Sequence, residues 1–337
     1  MGSSGACDNR ARVDLDLVFL GTSGSAPTAN RAPTALLVRR GGERLLFDCA
    51  EGTQRQLMRS RVGLPELDEV FLTHFHADHY LGLPGMLKTF SLRQRETPIV
   101  VHGPPGVREL FGELRRVFGK LTYPLELVEV RAGQALERDG YRILVFPVHH
   151  GVSAVGYAVV EEPRPGEFDV ETADALGVPA GPERGALQRG ESITLADERV
   201  VTPDAVLGPP RAGRRIVVPG DTAPAETVRV LAEGADVLVH EATFADEERV
   251  RAEETLHSTA LQAAELARAA GVRLLALTHV SPRYFGPELL REARSVFPAT
   301  VVPRDFDTIE VPFPERGEPR LVKGGAAPEA RVRVSDP

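Results

Sequence analysis

Short apolar runs separated by turn residues recur along most of this 337-residue chain, a pattern typical of buried β-strands. Gly41 and Gly42 lie between two such runs and predict a hairpin. Helical patterns become more frequent in the second half of the chain. We predict helices at residues 107–117, 223–232 and 258–270, and strands at residues 16–20, 35–38, 45–47, 70–73, 99–101, 125–128, 141–146, 216–221, 237–239 and 274–278.

One segment interrupts this pattern. Residues 161–191 are rich in proline, glycine and charge, and only residues 170–176 predict a short helix. We interpret the segment as an insertion into a single domain at residues 13–312, and not as a domain boundary. Residues 1–12 and 315–337 lack periodicity, so we predict flexible ends there.

Composition narrows the classes of function. The net charge of −8 gives no prediction of nucleic-acid binding, so any such function needs a local basic patch. The two cysteines have neither metal-ligand nor disulfide spacing, which favours a reducing compartment. There is no apolar run of about 18 residues that could span a membrane. We therefore predict a soluble, cytoplasmic protein that makes no membrane contact.

The candidate chemistry is concentrated in the stretch T-H-F-H-A-D-H, Thr73 to His79, where three of the nine histidines and an aspartate occupy six positions. The structural alternative is a set of ordinary loop histidines with unrelated hydrogen bonds, but such density is rare by chance. His74 and His76 can serve one ion, and Asp78 and His79 a second, with nitrogen and oxygen ligands that suit zinc. Further ligands must then come from elsewhere, and the candidates that follow apolar runs are His150, Asp221 and His279.

Several motifs in the same order make the chain resemble a known family. They are F-L-G-T-S-G-S-A-P-T (19–28), F-D-C-A-E-G-T-Q-R-Q-L (47–57), H-H-G-V-S-A-V-G-Y (149–157), P-G-D-T (219–222), H-E-A-T (240–243), H-S-T (257–259) and T-H-V-S-P-R-Y (278–284). From about residue 17 to about residue 311, the chain resembles the ribonuclease Z enzymes of the metallo-β-lactamase superfamily. These zinc-dependent endoribonucleases remove 3′ trailers from precursor tRNA and leave a tRNA 3′-hydroxyl.

The resemblance implies an α/β fold, the metallo-β-lactamase αββα sandwich, in which helices flank two packed mixed β-sheets and an arm protrudes. It also implies two zinc ions per subunit, with manganese or another divalent metal as the alternative. The family pattern selects His150 over His149 as a ligand, and it makes Asp48 the residue that orients a ligand histidine. The implied ligands are His74, His76 and His150 for one ion and Asp78, His79 and His279 for the other, with Asp221 between them.

The resemblance also assigns catalytic roles. Asp78 is the implied proton acceptor. The implied proton donor to the leaving 3′ oxygen is His257, and Glu241 would hold the His257 ring in the right tautomer. For His257 alone, a helix-capping role is the structural alternative. We expect His240 and His102 to be structural.

The segment 161–191 falls where the family carries an arm that grips tRNA, and in a homodimer one subunit's arm would present tRNA to the other subunit's centre. Its implied RNA contacts are the tip Gly177, Pro179, Gly181 and Pro182 and the arginines Arg164, Arg184 and Arg189. A solvated loop with scattered charge is the alternative. The stretch 27–32 lacks the lysine and the final asparagine of the pattern that is frequent in the family, and this difference bears on how the RNA 3′ end is recognised. Another hydrolase of this fold, a phosphodiesterase or lactonase that does not act on tRNA, is the alternative function.

Overall fold

The computed structural model describes residues 13–64 and 67–325. Its strands are β1 (Leu15–Gly21), β2 (Ala35–Arg40), β3 (Glu43–Phe47), β4 (Glu69–Phe71), β5 (Ile99–Gly103), β6 (Leu125–Glu129), β7 (Ala135–Arg138), β8 (Tyr141–Pro147), β9 (Val155–Glu161), β10 (Ile193–Thr194), β11 (Val200–Val201), β12 (Arg215–Gly220), β13 (Val237–Glu241), β14 (Leu274–Thr278), β15 (Thr300–Val301), β16 (Thr308–Glu310) and β17 (Arg320–Val322). Its α-helices are α1 (Thr53–Arg59), α2 (Ala77–Tyr80), α3 (Gly82–Leu92), α4 (Val107–Phe118), α5 (Val170–Ala175), α6 (Pro182–Gln188), α7 (Glu226–Leu231), α8 (Arg249–Thr255), α9 (Ala260–Ala270) and α10 (Pro287–Val296).

The strands form two large mixed sheets. In the described residues, the first sheet has eight strands in the order β17-β16-β1-β2-β3-β4-β5-β6, and the second has seven in the order β15-β14-β13-β12-β9-β8-β7. Side chains alternate between the two faces of each strand. Leu17 and Phe19 of β1 therefore enter the apolar layer between the sheets, while Val18 and Leu20 enter the layer beneath the helices. Both faces are buried, which explains the continuous apolar runs in the sequence.

Helices cover the outer face of each sheet and complete an αββα sandwich. Apolar side chains of α1, α3 and α4 pack on the first sheet, and those of α7, α9 and α10 pack on the second. The α/β sandwich that the resemblance implies is confirmed. The predicted helix at 223–232 is shorter in the structure because Ala223 is held in extended backbone, where its N–H donates to the His149 carbonyl. No helix in the described parts of the chain combines the length and apolar character needed to cross a bilayer.

The insertion between β9 and β12 has more structure than its composition predicts, and it extends beyond residue 191. It holds α5, α6 and the β10-β11 hairpin around a small apolar core of its own, made of Ala173, Val178, Leu187, Val201 and Val206. The short helix expected at 170–176 is present as α5. At the base of the insertion, the incoming and outgoing chains pair as Arg164 with Arg211 and Phe168 with Leu207.

The prediction of a flexible end at 315–337 is wrong for residues 315–325. There β17 pairs with β16 and becomes the edge strand of the first sheet, and short apolar strands at an edge carry little periodic signal. Residues 1–12, predicted to be flexible, and residues 326–337 lie outside the described residues.

Arg214 joins the two sheets at one edge of the sandwich. Its guanidinium donates to both carboxylate oxygens of Glu161 at 2.7 and 2.8 Å, and to the carbonyls of Val13 and Val311 at 2.7 and 3.0 Å. Its Cζ lies 4.0 Å from the centre of the Phe313 ring. Burial alone would raise the pKa of Glu161, but the hydrogen bond and charge of Arg214 lower it, so the buried pair is ionised at neutral pH.

We expect Arg214→Ala to lower the free energy of unfolding by about 3–5 kcal/mol, because removal of one partner leaves a buried carboxylate without its main counter-charge. Urea denaturation measures the change. The matched control is Arg320→Ala, which removes an exposed pair with Glu310 and should have little effect. Equal stability of the two variants would contradict the role of Arg214.

Candidate metal centre

The candidate ligands gather at one edge of the sandwich because the strands that precede them run in the same direction. In the first sheet, β3 and β4 are parallel, and in the second β12, β13 and β14 are parallel. The carboxyl ends of parallel strands share one edge of a sheet. Asp48 directly follows β3, Asp221 follows β12 and His279 follows β14. His74 and His150 each come three residues after a strand, β4 and β8 respectively.

The backbone at this edge adopts the left-handed region at three of these strand ends, and it is strained at the two that are not glycine. Asp48 and His279 have φ angles of 56° and 54°, in the left-handed region that non-glycine residues rarely adopt. Gly220, just before Asp221, has φ of 72°, and a Cβ there would lie 2.8 Å from Thr73 Cβ. Such outliers persist where the surrounding structure fixes them, and they concentrate at functional sites.

His74, His76 and His150 form the first ligand cluster. His76 Nδ1 lies 3.0 Å from His74 Nε2 and 3.2 Å from His150 Nε2. Burial, followed by the charge of His79, lowers the pKa of His74 well below its usual range, and burial also lowers the pKa of His76. Both rings are therefore neutral at neutral pH, the state in which imidazole binds a metal.

Asp78, His79 and His279 form the second cluster, and Asp221 links it to the first. Asp221 Oδ2 lies 3.2 Å from His279 Nε2, 3.3 Å from His79 Nε2 and 3.8 Å from His74 Nε2. Asp78 Oδ2 lies 3.3 Å from His279 Nε2 and accepts a hydrogen bond from the Ser25 N–H at 2.7 Å.

The residues present fit metal ions. Five groups in the described residues have ligand atoms within 4.8 Å of one another, and three of them are made of the candidate ligands alone: His74, His76 and His150; Asp78, His79 and His279; and His74, His79 and Asp221. His79 Nε2 is fully buried and has no hydrogen-bond partner, although it faces the carboxylates of Asp78 and Asp221. A buried polar atom without a partner is costly unless a ligand satisfies it. Imidazole nitrogen and carboxylate oxygen suit zinc and related divalent ions.

Asp48 lies behind the ligands, where the resemblance places it. Its carboxylate is 2.8 Å from His79 Nδ1, so it holds that ring with Nε2 toward the centre. It also accepts the Thr73 N–H at 2.8 Å. This buried carboxylate therefore fixes both a ligand and the start of the ligand loop.

Buried Glu241 and partly exposed His257 form a pair beside the two clusters. His257 Nδ1 lies 2.9 Å from Glu241 Oε1, and the N–H groups of Thr222 and Ser258 also donate to the carboxylate. Burial alone would lower the pKa of His257, but Glu241, Asp221 and Asp78 together raise it to about 9. The His257 ring is therefore protonated at neutral pH.

The remaining histidines lie outside this arrangement. His149 is exposed, and its backbone N–H donates to Thr222 Oγ1. His240 is buried, with Nδ1 bonded to the Glu241 carbonyl. His102 Nε2 is 2.7 Å from Glu69, and its ring stacks on Phe71 with centroids 4.6 Å apart. Both His240 and His102 have the contacts of structural residues.

The arginines predicted to contact RNA phosphates already have partners. Arg164 is buried against Phe313 and forms two hydrogen bonds with Glu315, whose pKa it lowers to about 2, so it anchors the base of the insertion. This geometry contradicts an accessible phosphate contact for Arg164. Arg184 pairs with Asp174, and Arg189 pairs with Glu191. The tip residues Gly177, Pro179, Gly181 and Pro182 are exposed in the loop between α5 and α6.

Sequence reasoning missed the polar groups that surround the ligands, chiefly Thr73, Thr243 and the Ser25 N–H. Both threonines lie inside quoted motifs, T-H-F-H-A-D-H and H-E-A-T, and this proximity was the available signal. Threonine is common in strands for other reasons, so its identity alone assigns no role.

Comparison with known proteins agrees with this fold. Residues 30–166 match the family model described as the Metallo-beta-lactamase superfamily. The fold and the histidine and carboxylate clusters define a protein of this class. Within it, the chain is similar to curated relatives named Ribonuclease Z. The Methanosarcina acetivorans protein is 45% identical over 89% of this chain and 99% of its own length, and the Myxococcus xanthus protein is 46% identical over 89% and 98%.

Among solved structures, the chain is similar to human tRNase Z, short form, with 26% identity and a TM-score of 0.64, covering 88% of this chain and 99% of that one. The identity to the curated relatives extends over nearly their full length. The chain therefore belongs to the ribonuclease Z family.

Proposed function

We propose that the chain is a zinc-dependent endoribonuclease that removes 3′ trailers from precursor tRNA and leaves a tRNA 3′-hydroxyl. The observation that carries this proposal is the Glu241–His257 pair, 2.9 Å apart, beside two candidate ligand clusters in a chain of the ribonuclease Z family. Metal ligands alone would suit many hydrolases. A positioned proton carrier beside them suits a leaving group as poor as the ribose 3′ oxygen.

Two zinc ions fit the seven ligands, since a single tetrahedral ion takes only four, and manganese or another divalent metal is the alternative. Bound at these residues, the ions would supply an acidic water and would offset the negative charge on the scissile phosphate. His74, His76 and His150 would hold one ion, and Asp78, His79 and His279 the other. Asp221 lies between the clusters and would contact both.

Asp78 is the proposed proton acceptor. Its side chain is 14% exposed, whereas that of Asp221 is 3% exposed, so Asp78 is the carboxylate ligand that an incoming water or substrate can reach. The Ser25 N–H holds one of its oxygens. Burial alone would raise the pKa of Asp78, but His279 and His79 lower it, which keeps the carboxylate ionised at neutral pH.

His257 is the proposed proton donor. Glu241 holds its Nδ1, so the proton that it can release is on Nε2. The raised pKa keeps the ring protonated at neutral pH before the bond breaks. His257 would then give this proton to the leaving 3′ oxygen.

A groove of about 730 Å³ next to His279 supports binding of an RNA end. Val280 and Ser281 line it directly after the ligand, and the 27–32 stretch lines it from another side. Arg55, Arg59 and Arg304 are exposed around it, and Phe285 is 83% exposed. Arginines that meet phosphates and an aromatic ring that stacks on bases are what single-stranded RNA requires. Local positive charge thus offsets a net charge of −8.

We also propose that the insertion contacts the tRNA body. Between residues 168 and 207 it carries eight carboxylates and three arginines, so general charge attraction does not explain such a contact. The exposed Gly-Pro loop at 177–182 is the part that supports it, because its backbone is accessible and two of its glycines have positive φ.

The proposed assembly is a homodimer in the cytoplasm, in which each insertion serves the partner's centre. Exposed apolar side chains on the neighbouring helices α1, α3 and α4, those of Met58, Leu92 and Val117, support an interface on this face. The buried free thiol of Cys49 is compatible with a reducing compartment.

Metal analysis tests the dinuclear centre. We expect two zinc-class ions per chain in protein purified without chelator, and about one in His76→Ala, because that variant loses one of three ligands on one side. Inductively coupled plasma mass spectrometry gives the stoichiometry. The control, His102→Gln, changes a histidine outside the clusters and should retain two ions. One ion or fewer in the parent protein, even after zinc or manganese is supplied, would contradict the proposal.

Two substrates test the role of His257. His257→Ala should slow cleavage of precursor tRNA by about 10²–10⁴-fold, the range of general acid–base catalysis. It should have much less effect on a p-nitrophenyl phosphodiester, whose leaving group needs no proton. Single-turnover rates at saturating enzyme measure both effects. Equal slowing on the two substrates would show that His257 is not the proton donor.

Removal of the insertion tests the tRNA contact. The Gly208 N–H donates to the Glu167 carbonyl. A hydrogen bond with this geometry can close a two-residue β-turn, so we replace residues 168–207 with Asn-Gly. This removes the insertion's core and leaves the Arg164–Glu315 pair intact. We expect hydrolysis of the small phosphodiester to survive and precursor-tRNA cleavage to fall, mainly through lost binding.

Mixed dimers test whether the insertion serves the partner subunit. The shortened chain should regain tRNA cleavage when it is refolded together with full-length Asp78→Ala, which supplies an intact insertion but no active centre. The Asp78→Ala chain alone is the control. Undiminished tRNA cleavage by the shortened chain would contradict the insertion's role, and failure of the mixture to regain activity would exclude action across a dimer.

A further inference from the structure

We propose that Thr243 is a positioning residue, whose hydroxyl extends the Glu241 carboxylate to the metal ligand His279, and that Thr73 extends Asp48 to His74 in the same way. The proposal rests on the proposed metal-dependent function and deepens it. Each buried carboxylate would then hold two imidazoles, one directly and one through a threonine.

The Thr243 hydroxyl lies between an acceptor and an imidazole. It donates to Glu241 Oε2 at 2.6 Å, and its oxygen is 2.8 Å from His279 Nδ1. The other nitrogen of that ring, Nε2, faces Asp221 and Asp78 in the ligand cluster. Thr243 is buried. Gly24 also packs against the His279 ring, so closely that a Cβ at position 24 would lie 2.5 Å from Nδ1. The hydroxyl is therefore the hydrogen-bond partner of that ring nitrogen.

The number of available protons fixes the direction of these hydrogen bonds. A hydroxyl has one proton, and an ionised carboxylate can only accept. Burial alone would raise the pKa of Glu241, but the hydrogen bond and charge of His257 lower it, so the carboxylate is ionised. The hydroxyl proton therefore points to Glu241, and the Thr243 oxygen accepts the Nδ1–H of His279. This selects the tautomer of His279 whose Nε2 lone pair faces the ligand cluster.

The same arrangement occurs in the other sheet. Thr73 Oγ1 lies 2.9 and 3.1 Å from the two oxygens of Asp48 and 3.1 Å from His74 Nδ1. The opposite nitrogen, His74 Nε2, faces His76 in the first cluster. Asp48 also binds His79 directly, as Glu241 binds His257. The strand ends of the two sheets thus present the same order of carboxylate, threonine and candidate ligand histidine.

These hydrogen bonds connect the proposed proton donor to the second ligand cluster. Glu241 contacts both the proposed proton donor and, through Thr243, a ligand of the second cluster. Loss of the Thr243 hydroxyl leaves the Nδ1–H of His279 buried without a partner, which favours the tautomer that cannot bind a metal. His257 keeps its direct bond to Glu241. Loss of this hydroxyl should therefore weaken metal binding more than RNA binding.

The test compares Thr243→Val, which keeps the branched shape and removes the hydroxyl, with Thr243→Ser, which keeps the hydroxyl. We expect Thr243→Val to weaken metal affinity by about 10–100-fold, as outer hydrogen-bond partners of ligand histidines do elsewhere, and Thr243→Ser to stay close to the parent. Competition with a chromophoric zinc chelator measures this affinity without RNA. In turnover of precursor tRNA at limiting zinc, kcat should fall in Thr243→Val while KM is unchanged.

The control for a merely structural effect is Thr300→Val, which removes a buried hydroxyl that donates to the Phe297 carbonyl away from the ligands. It should lower stability without changing metal affinity. Parental metal affinity in folded Thr243→Val, or equal defects in the Val and Ser variants, would overturn the proposal. If Thr243→Val does not fold, Thr73→Val and Thr73→Ser apply the same comparison to Asp48 and His74. A parent protein that binds metal but does not cleave tRNA would count against the proposed substrate, and the comparison of metal affinities would still test the role of Thr243.

Discussion

Two hydrogen bonds between the sheets hold the ligand loop of the first sheet against the second, and the rest of the centre depends on them. The Val155 N–H donates to the Thr73 carbonyl, and the Tyr157 hydroxyl donates to the Leu72 carbonyl, both at 2.9 Å. Beside them, Tyr157 packs edge-on against Phe71, with ring centroids 5.5 Å apart. The loop that begins at His74 is thereby fixed to the sheet that supplies Asp221 and His279.

Buried carboxylates are the second condition for this centre. An isolated carboxylate in an apolar interior is very costly, so Asp48 and Glu241 persist only because several donors satisfy each of them. Backbone N–H groups donate to both, as do threonine hydroxyls, and each faces an imidazole. The positive φ at Asp48 and His279 is a further local cost. Apolar packing on both sides of each sheet holds these strained polar groups in place.

The distribution of charge separates the chemistry from RNA binding. Net charge, as a sum over the chain, gives no indication of RNA binding, and most arginines of the insertion are paired with carboxylates close to them. The exposed arginines of the groove come from α1 and from the loop before β16, segments far apart in sequence. A basic surface of this kind exists only after folding. In an acidic chain, it confines favourable phosphate contacts to one region.

The sequence by itself indicated ten of the strands, the α/β class and the candidate ligand residues. Apolar runs report burial on both faces of a strand, and T-H-F-H-A-D-H is too dense in ligand types to arise readily by chance. The sequence did not determine helices such as α3 and α10, since α3 includes Pro84 and two glycines and only two residues of α10 are buried. It also did not determine the insertion's second helix, or the pairing of Arg164 with Glu315 across 151 positions. Partners so distant in sequence leave no periodic signal. Only the packing of the two sheets decided which hydroxyl meets which histidine, because hydrogen bonds need placement within a few tenths of an ångström.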